Sequence, residues 1–460
     1  MKLISTTSWY FPDSSGGVEV YLDGLIQGLQ PHGIETQVAV SDLLQTQERN
    51  YQYKGVNVYR YPVAPCPNLS QEKQQLPPLG FSRFADWLSS QSVDIYHQHS
   101  WRYGCGLHHL RLARQLGLPT IVTIHMPEAV CLRGTMMHQE QYPCDGYIDP
   151  VRCGRCYGVP KRVPAPIIQG ISQLPASIGL PVAAKLTSAP DVRIRQLGRT
   201  IAIPLSVKIH RQSLLEMANL ADRIVAVCQW LYDAFLLNGV PPEKLVLCRQ
   251  GVSYSSAEKK QFQQQSPLKI GFLGRWQETK GIQILVEAIH RLDPDIPVEL
   301  TIHGMLHGEA GKINRERVLA IAEQDSRIRV AEKLSREEVP QAVAGFDILA
   351  VPSQWLETGP LVVLEAYGVG TPVIGSHLGG IAELVRHGVD GWLVSAPTEV
   401  SAWTEAIAYL ATHRDLISQF HQNILPVRTM QNVADEMAGL YQEILNQRSV
   451  DPLSFRKATL

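Results

Sequence analysis

Two carboxylates and two cations carry the chemistry that this sequence can do. Glu357 and Glu365 stand in DILAVPSQWLETGPLVVLEAYGVGTPV, from Asp347 to Val373, while Arg275 and Lys280 stand in GFLGRWQETKGIQ. Carboxylates accept hydrogen bonds from sugar hydroxyls. An arginine forks onto two phosphate oxygens and a lysine supplies a point charge. Together these types suit a sugar nucleotide. Asp347 to Pro352 reads as a buried strand. A loop with Trp355 and Glu357 follows, and then a helix opening at Gly359-Pro360 that bears Glu365. Pro360 suits a first helical position, so the amides of Leu361, Val362 and Val363 are expected to project at the strand's carboxyl end. In open α/β sheets, ligands sit outside the carboxyl ends of strands, where a helix amino end favours an anion. The plain alternative is a strand-loop-helix unit with solvated charges, the usual fate of Arg, Lys and Glu.

Glu357 and Glu365, with seven residues between them, resemble the signature of the large retaining glycosyltransferase family 4. The resemblance implies an α/β GT-B fold, two Rossmann-like domains with a cleft between them. It implies that Glu365 accepts from the ribose hydroxyls of the donor, that Glu357 contacts the donor sugar, and that Thr358, Gly359, Pro360 and Leu361 wrap sugar and phosphates with backbone groups. Arg275 and Lys280 then neutralise the departing nucleoside diphosphate, so no catalytic metal is expected. Gly16-Gly17, after the first strand, resemble the family's acceptor-side loop, although paired glycines equally suit a flexible turn. Glu19 is either an acceptor contact or a favourable first-turn acid. His125, ending TIVTIH, resembles the family's histidine that touches the donor sugar. His97 and His99 alternate along VDIYHQHS and so share a strand face, which makes His99 an acceptor-side candidate. The family's retaining transfer is usually assigned to front-face attack, with the departing phosphate oxygen taking the proton.

At 460 residues the chain implies two or three domains. Short apolar runs alternate with amphipathic segments, the pattern of βαβ units. Residues 1–253 are expected to form an acceptor-side domain, 254–267 a polar linker and 268–430 a nucleotide-sugar domain. The last segment, 431–460, is expected to be a helix crossing back to the first domain, then a tail. A formal net charge of −1 gives no general pull towards nucleic acid. The amino terminus lacks a secretory pattern and no apolar run reaches 18 residues, so the expected location is cytoplasmic, with peripheral contact to the inner face of a membrane open.

The departure from a minimal family member lies between 126 and 212. Cys131, Cys144, Cys153 and Cys156 suit a structural zinc, reduced thiols or disulfides. Beyond them, Lys161, Arg162, Lys185, Arg193, Arg195, Arg199, Lys208 and Arg211 face one acid, Asp191, among apolar runs. That composition suits an anionic membrane surface, a lipid-diphosphate acceptor, or a solvated insertion. The expected activity is transfer of a sugar from a nucleoside-diphosphate sugar to a glycan, lipid-linked or small-molecule acceptor. A catalytically silent sugar-nucleotide-binding or scaffold protein and a sugar-nucleotide epimerase on the same fold are the alternatives.

Overall fold

A computed structural model describes residues 1–14, 16–43, 45–63, 67–254 and 267–450. The expected linker lies almost wholly outside them, as do Cys66 and the tail beyond Val450. The chain divides into two compact units, Met1–Arg249 with Gln431–Leu460, and Gln250–Met430. The division thus falls a few residues ahead of 253.

The first unit is built on eight strands: β1 (Lys2–Thr7), β2 (Glu35–Asp42), β3 (Arg49–Tyr53), β4 (Val56–Pro62), β5 (Ile95–Gln98), β6 (Thr120–Ile124), β9 (Arg223–Ala226) and β10 (Leu245–Leu247). A separate small hairpin, β7 (Met137–His138) with β8 (Tyr142–Pro143), interrupts the series. The strand order is β10-β9-β6-β5-β1-β2-β4-β3. Runs such as Val38, Ala39 and Val40 are buried throughout, as parallel strands covered on both faces require. The edge strand β3, RNYQY, pairs antiparallel with β4. It is mostly polar and exposed, because an edge strand needs no apolar face, and for that reason it carries no clear signal in the sequence. The order reverses at β1, which lies between β2 and β5, so a crevice is expected at the carboxyl ends of β1 and β5.

Between β6 and β9 the insertion is helical: Pro150–Tyr157, Ala165–Ser172, Ala176–Thr187 and Val192–Leu220. Asp149 and Asp191 cap two of these helices, each carboxylate accepting from two backbone amides of the first turn. Asp191 stands alone among the cations because the longest helix needs a cap there. Pro181 and Pro204 sit inside helices, and packing compensates the lost backbone bonds. Gly179 and Gly198 let the two long helices cross closely, since a Cβ on either would meet Leu205 Cδ1 at 2.5 Å or the Thr187 amide at 2.6 Å. No single helix among the described residues is long and apolar enough to cross a membrane. The pair Ala165–Ser172 and Ala176–Thr187, bent by 117°, passes that test of length and composition only together.

The final helix, Met430–Val450, packs on the first unit. Tyr441 hydroxyl meets His97 Nδ1 at 2.8 Å, Arg223 pairs with Glu443 at 2.7 Å, and Arg448 pairs with Asp222 at 2.8 Å.

The second unit has six parallel strands: β11 (Leu268–Arg275), β12 (Val298–Met305), β13 (Ile328–Ala331), β14 (Ile348–Val351), β15 (Val373–Ser376) and β16 (Gly391–Val394). Their order is β13-β12-β11-β14-β15-β16. This is the doubly wound arrangement whose switch point lies between its first and fourth strands, here β11 and β14. Trp276 and Trp403 are among the side chains that fill one face of this sheet.

Candidate functional site

In the second unit the two loops leaving β11 and β14 are bound to each other at the switch point. Gln354 N–H donates to the Thr279 carbonyl at 2.7 Å. Gly281 lies at φ +72°, and a Cβ there would stand 1.8 Å from the Pro352 carbonyl oxygen, so only glycine lets the loops approach this closely. Lys280 Nζ then reaches Glu357 Oε1 at 2.6 Å. The same oxygen accepts from Ser353 Oγ at 2.7 Å and from Trp355 Nε1 at 2.9 Å. Lys280 also lies 5.4 Å from the centre of the Trp355 ring. Glu357 is 7 % exposed. Burial pushes its carboxyl up, yet the Lys280 charge and the hydrogen bonds from Lys280, Ser353 and Trp355 outweigh this and hold it below its ordinary value.

Arg275 ends β11 half-buried, and its guanidinium has no hydrogen-bond or ion-pair partner among the described residues. Glu365 lies on the helix Leu361–Gly368 with no hydrogen bond among those residues. Burial pushes its carboxyl up, opposed by the charge of Arg336, and Tyr254 lies close enough to feel it. One carboxylate is therefore fixed by three donor atoms, and the other keeps its lone pairs for a ligand.

The helix amino end differs from the expectation in two respects. Pro360 is the N-cap in extended conformation and Leu361 the first helical residue. Val363 N–H donates to the Pro360 carbonyl at 2.9 Å, so the amides left to project are those of Leu361 and Val362. The cause is a tight first turn. Thr358 is buried, and Gly359 packs where a Cβ would meet Gln250 Oε1 at 2.3 Å. Gly379-Gly380, opening the next helix, mould the loop from behind: Gly380 N–H donates to the Glu357 carbonyl at 2.7 Å, and a Cβ on Gly379 would meet Leu356 at 2.8 Å. Sequence reasoning missed Ser353, Gln250 and these glycines as supports. Paired glycines after β15 were the available signal.

In the first unit, Gly16 is the N-cap of the helix Gly17–Leu29. Glu19, in its first turn, is 5 % exposed and accepts from Ser14 Oγ, and a Cβ on Gly16 would stand 2.8 Å from the Glu19 carboxylate. His125 follows β6 and His99 follows β5; His99 Nδ1 and His125 Nε2 are 3.3 Å apart. The Tyr21 ring stands 4.6 Å from His125, and His97 stands 4.0 Å from His99. Burial pushes His97 and His125 down to about 3, and burial with the two neighbouring rings pushes His99 well below its ordinary value. All three are neutral imidazoles near pH 7. His97 is held by Tyr441 and by Thr123 Oγ1 at 2.8 Å, so it anchors the final helix and does not face outward. His99 Nε2 is buried without a hydrogen-bond partner among the described residues.

The seven described cysteines are free thiols. Cys144 Sγ accepts from Arg152 at 2.7 Å, Cys153 Sγ from the Asp149 amide at 3.4 Å, and Cys156 Sγ from the Gln139 amide at 3.3 Å. Burial, with the nearby Cys144 and Cys131 thiols, pushes Cys153 up to about 11 against the Asp149 amide. Among the described residues, no group of three or more His, Cys, Asp or Glu is placed to hold a metal ion. The four cysteines share one small region without forming such a group.

Comparison with known proteins adds the following. A family model described as Glycosyl transferases group 1 matches residues 267–413, and one described as Glycosyl transferase 4-like domain matches 16–153. A D-inositol 3-phosphate glycosyltransferase of Pseudarthrobacter chlorophenolicus is 36 % identical over 145 residues, covering 30 % of this chain and 33 % of the relative. The enzyme of that name from Corynebacterium glutamicum is 30 % identical over 191 residues, covering 40 % and 45 %. The chain thus spans less than two thirds of the length of the curated relatives it matches. Among solved structures, Anabaena HepE in complex with UDP and glucose aligns with a TM-score of 0.56 at 15 % identity, over 99 % of both chains. Sucrose-phosphate synthase from Thermosynechococcus elongatus aligns with a TM-score of 0.62 at 16 % identity, over 97 % of this chain and 99 % of that one. At such identities the likeness establishes the fold, two parallel-sheet α/β domains of the GT-B type. Since two models of one kind match, one in each unit and together over more than half of the residues, the chain belongs to glycosyltransferase family 4, the glycosyl transferases group 1.

Proposed function

We propose that this protein transfers a sugar from a nucleoside-diphosphate sugar to an acceptor hydroxyl, with retention of anomeric configuration. The observation that carries the reading is the β11–β14 switch point. There Lys280 and Glu357 form an ion pair between the loops leaving β11 and β14, Arg275 ends β11 with no partner among the described residues, and Glu365 stands on the helix that follows β14. Glu365 takes the ribose hydroxyls, Arg275 and the Leu361 and Val362 amides take the diphosphate, and Lys280 with Glu357 borders the donor sugar. Charge on the leaving diphosphate is stabilised by groups already in place, the largest usual source of catalysis. The departing phosphate oxygen accepts the acceptor proton, so neutral His125 acts as a hydrogen-bonding contact to the sugar and not as a charged acid. Gly16 and Gly17 form the acceptor-side loop. No step depends on a metal. A structural zinc would need Cys131, Cys144, Cys153 and Cys156 to draw together, and the zinc content of purified protein measures it.

The test is calorimetric binding of UDP, GDP, ADP and TDP without metal; the HepE complex with UDP supports trying UDP first. Glu365→Ala is expected to weaken the preferred nucleotide by about 1–3 kcal/mol, the cost of removing a charged hydrogen-bond acceptor. If none of the four bound, the donor-site assignment would collapse and the scaffold reading would move ahead. Tight binding without turnover on any acceptor would favour the silent binder.

The insertion supports work at an anionic membrane surface. Ile167, Leu174, Ile178, Val182, Val192, Ile194 and Leu197 are exposed there. Exposed Lys161, Arg162, Lys185, Arg193 and Arg199 stand in the same segment. Ile178 and Val182 lie one helical turn apart, with Lys185 continuing the stripe. Basic residues bordering an apolar face suit anionic headgroups over acyl chains. Full-length protein is expected to float with vesicles containing phosphatidylglycerol and not with pure phosphatidylcholine. Ile178→Glu with Val182→Glu is expected to abolish flotation while leaving the melting temperature within about a degree, as surface changes do.

A further inference from the structure

The chain passes between the two units twice, from Arg249 to Gln250 and from Met430 to Gln431. Within the second unit the two passages are tied to each other. Val252 and Thr429 form a parallel bridge, in which Val252 N–H donates to the Arg428 carbonyl at 3.0 Å and Met430 N–H donates to the Val252 carbonyl at 2.8 Å. A Cβ on Gly251 would overlap the Thr429 carbonyl, so only glycine lets the passages lie this close.

The same residues hold the helix Leu361–Gly368, which bears Glu365. At its last residue, a Cβ on Gly368 would stand 3.1 Å from the Tyr254 carbonyl oxygen, 3.6 Å from Val252 Cγ2 and 3.7 Å from Val427 Cγ2, so segments of both passages pack there. Ahead of its first residue, the Gln250 carboxamide lies against Gly359, in the space that a Cβ would take. Gln250 is buried, yet its Oε1 has no hydrogen-bond partner among the described residues. Buried amide oxygens are paired as a rule, and leaving one unpaired costs stability. What the side chain supplies to Gly359 is therefore shape and not a hydrogen bond. Close-packed groups do not yield singly, so a shift of the loop Thr358–Pro360 is passed to Gln250 and, through Gly251, to the bridge.

We infer that Gln250 is a positioning residue that couples occupancy of the donor loop to the two passages between the units, so that a bound nucleoside diphosphate stiffens the Val252–Thr429 bridge. The coupling rests on the donor-site reading and adds to it a route out of the site. A diphosphate that draws on the Leu361 and Val362 amides moves the loop ending at Pro360. Gln250 is packed on that loop and is at the same time the first residue of one passage.

Hydrogen exchange of the Val252 and Met430 amides, the two donors of the bridge, reads the coupling in the full chain. It is measured with and without the tightest binder among UDP, GDP, ADP and TDP. Saturating nucleotide is expected to slow exchange of both amides on the order of tenfold. In Gln250→Ala that slowing is expected to vanish, while nucleotide affinity stays within about threefold and kcat falls by more than the donor KM rises. Gln250→Met fills the same space without the unpaired oxygen, so it is expected to keep the slowing and to hold or raise the melting temperature. A merely structural residue would instead speed exchange equally with and without nucleotide when replaced by alanine. That result, an unchanged slowing in Gln250→Ala, or its loss in Gln250→Met would overturn the inference. The wild type decides even where Gln250→Ala does not fold. Nucleotide that binds without slowing either amide sinks the coupling alone and leaves the donor site standing, whereas no binding of any of the four sinks both.

Discussion

Lys280→Met is expected to cost about 3 kcal/mol of stability and at least a hundredfold in transfer rate. The stability loss follows from burial: Glu357 loses its ion pair with Lys280 while 7 % exposed. Breaking a buried pair on one side costs about 3–5 kcal/mol, because the remaining charge stays desolvated. Ser353 and Trp355 still donate to the same oxygen, which places the loss at the low end. The pH dependence has a definite sign. The Glu357 carboxyl in the folded protein lies below its ordinary 4.5. Its pairing therefore stabilises the protein above that pH and is lost as pH falls through the depressed folded value. In Lys280→Met burial dominates, the carboxyl rises above 4.5, and the variant gains stability on mild acidification where the wild type loses it. Urea unfolding from pH 3.5 to 7 measures both curves; parallel curves would refute the ion-pair account.

Arg275→Ala is expected to separate catalysis from stability. Its guanidinium has no partner among the described residues, so the unfolding midpoint should move by less than about 0.5 kcal/mol. Turnover should fall on the order of a hundred- to a thousandfold, the usual effect of removing one preorganised group aimed at developing charge. Arg275→Lys should recover part of the rate, since a point charge replaces the fork without its second hydrogen bond. Nucleoside-diphosphate affinity should fall less than turnover, because charge on the leaving oxygen is greatest in the transition state. If turnover were unchanged, the diphosphate would have to be bound elsewhere. The two variants together distinguish a residue that both builds and works the site from one that only works it.

The sequence by itself determined most of the scaffold. The strands β1 and β2 hold the apolar residues Leu3 and Ile4 and the run Val38, Ala39 and Val40, because parallel strands covered on both faces favour short apolar runs over alternation. Glu357, Glu365, Arg275 and Lys280 were legible as candidates, since charged residues at the carboxyl ends of such strands have few structural reasons to be there. What only tertiary structure decided is which groups meet. Lys280 and Glu357 are 77 residues apart and belong to different loops; the adjacency of β11 and β14 makes them a pair. That adjacency is a property of strand order, which local pattern does not encode. His97 was indistinguishable from His99 by alternation, yet Tyr441, 344 residues later, makes it an anchor for the final helix. Gln250 carries no motif. It meets Gly359 only because the passages between the units pack on the helix that follows β14, and long-range packing of that kind is written in shape complementarity and not in spacing.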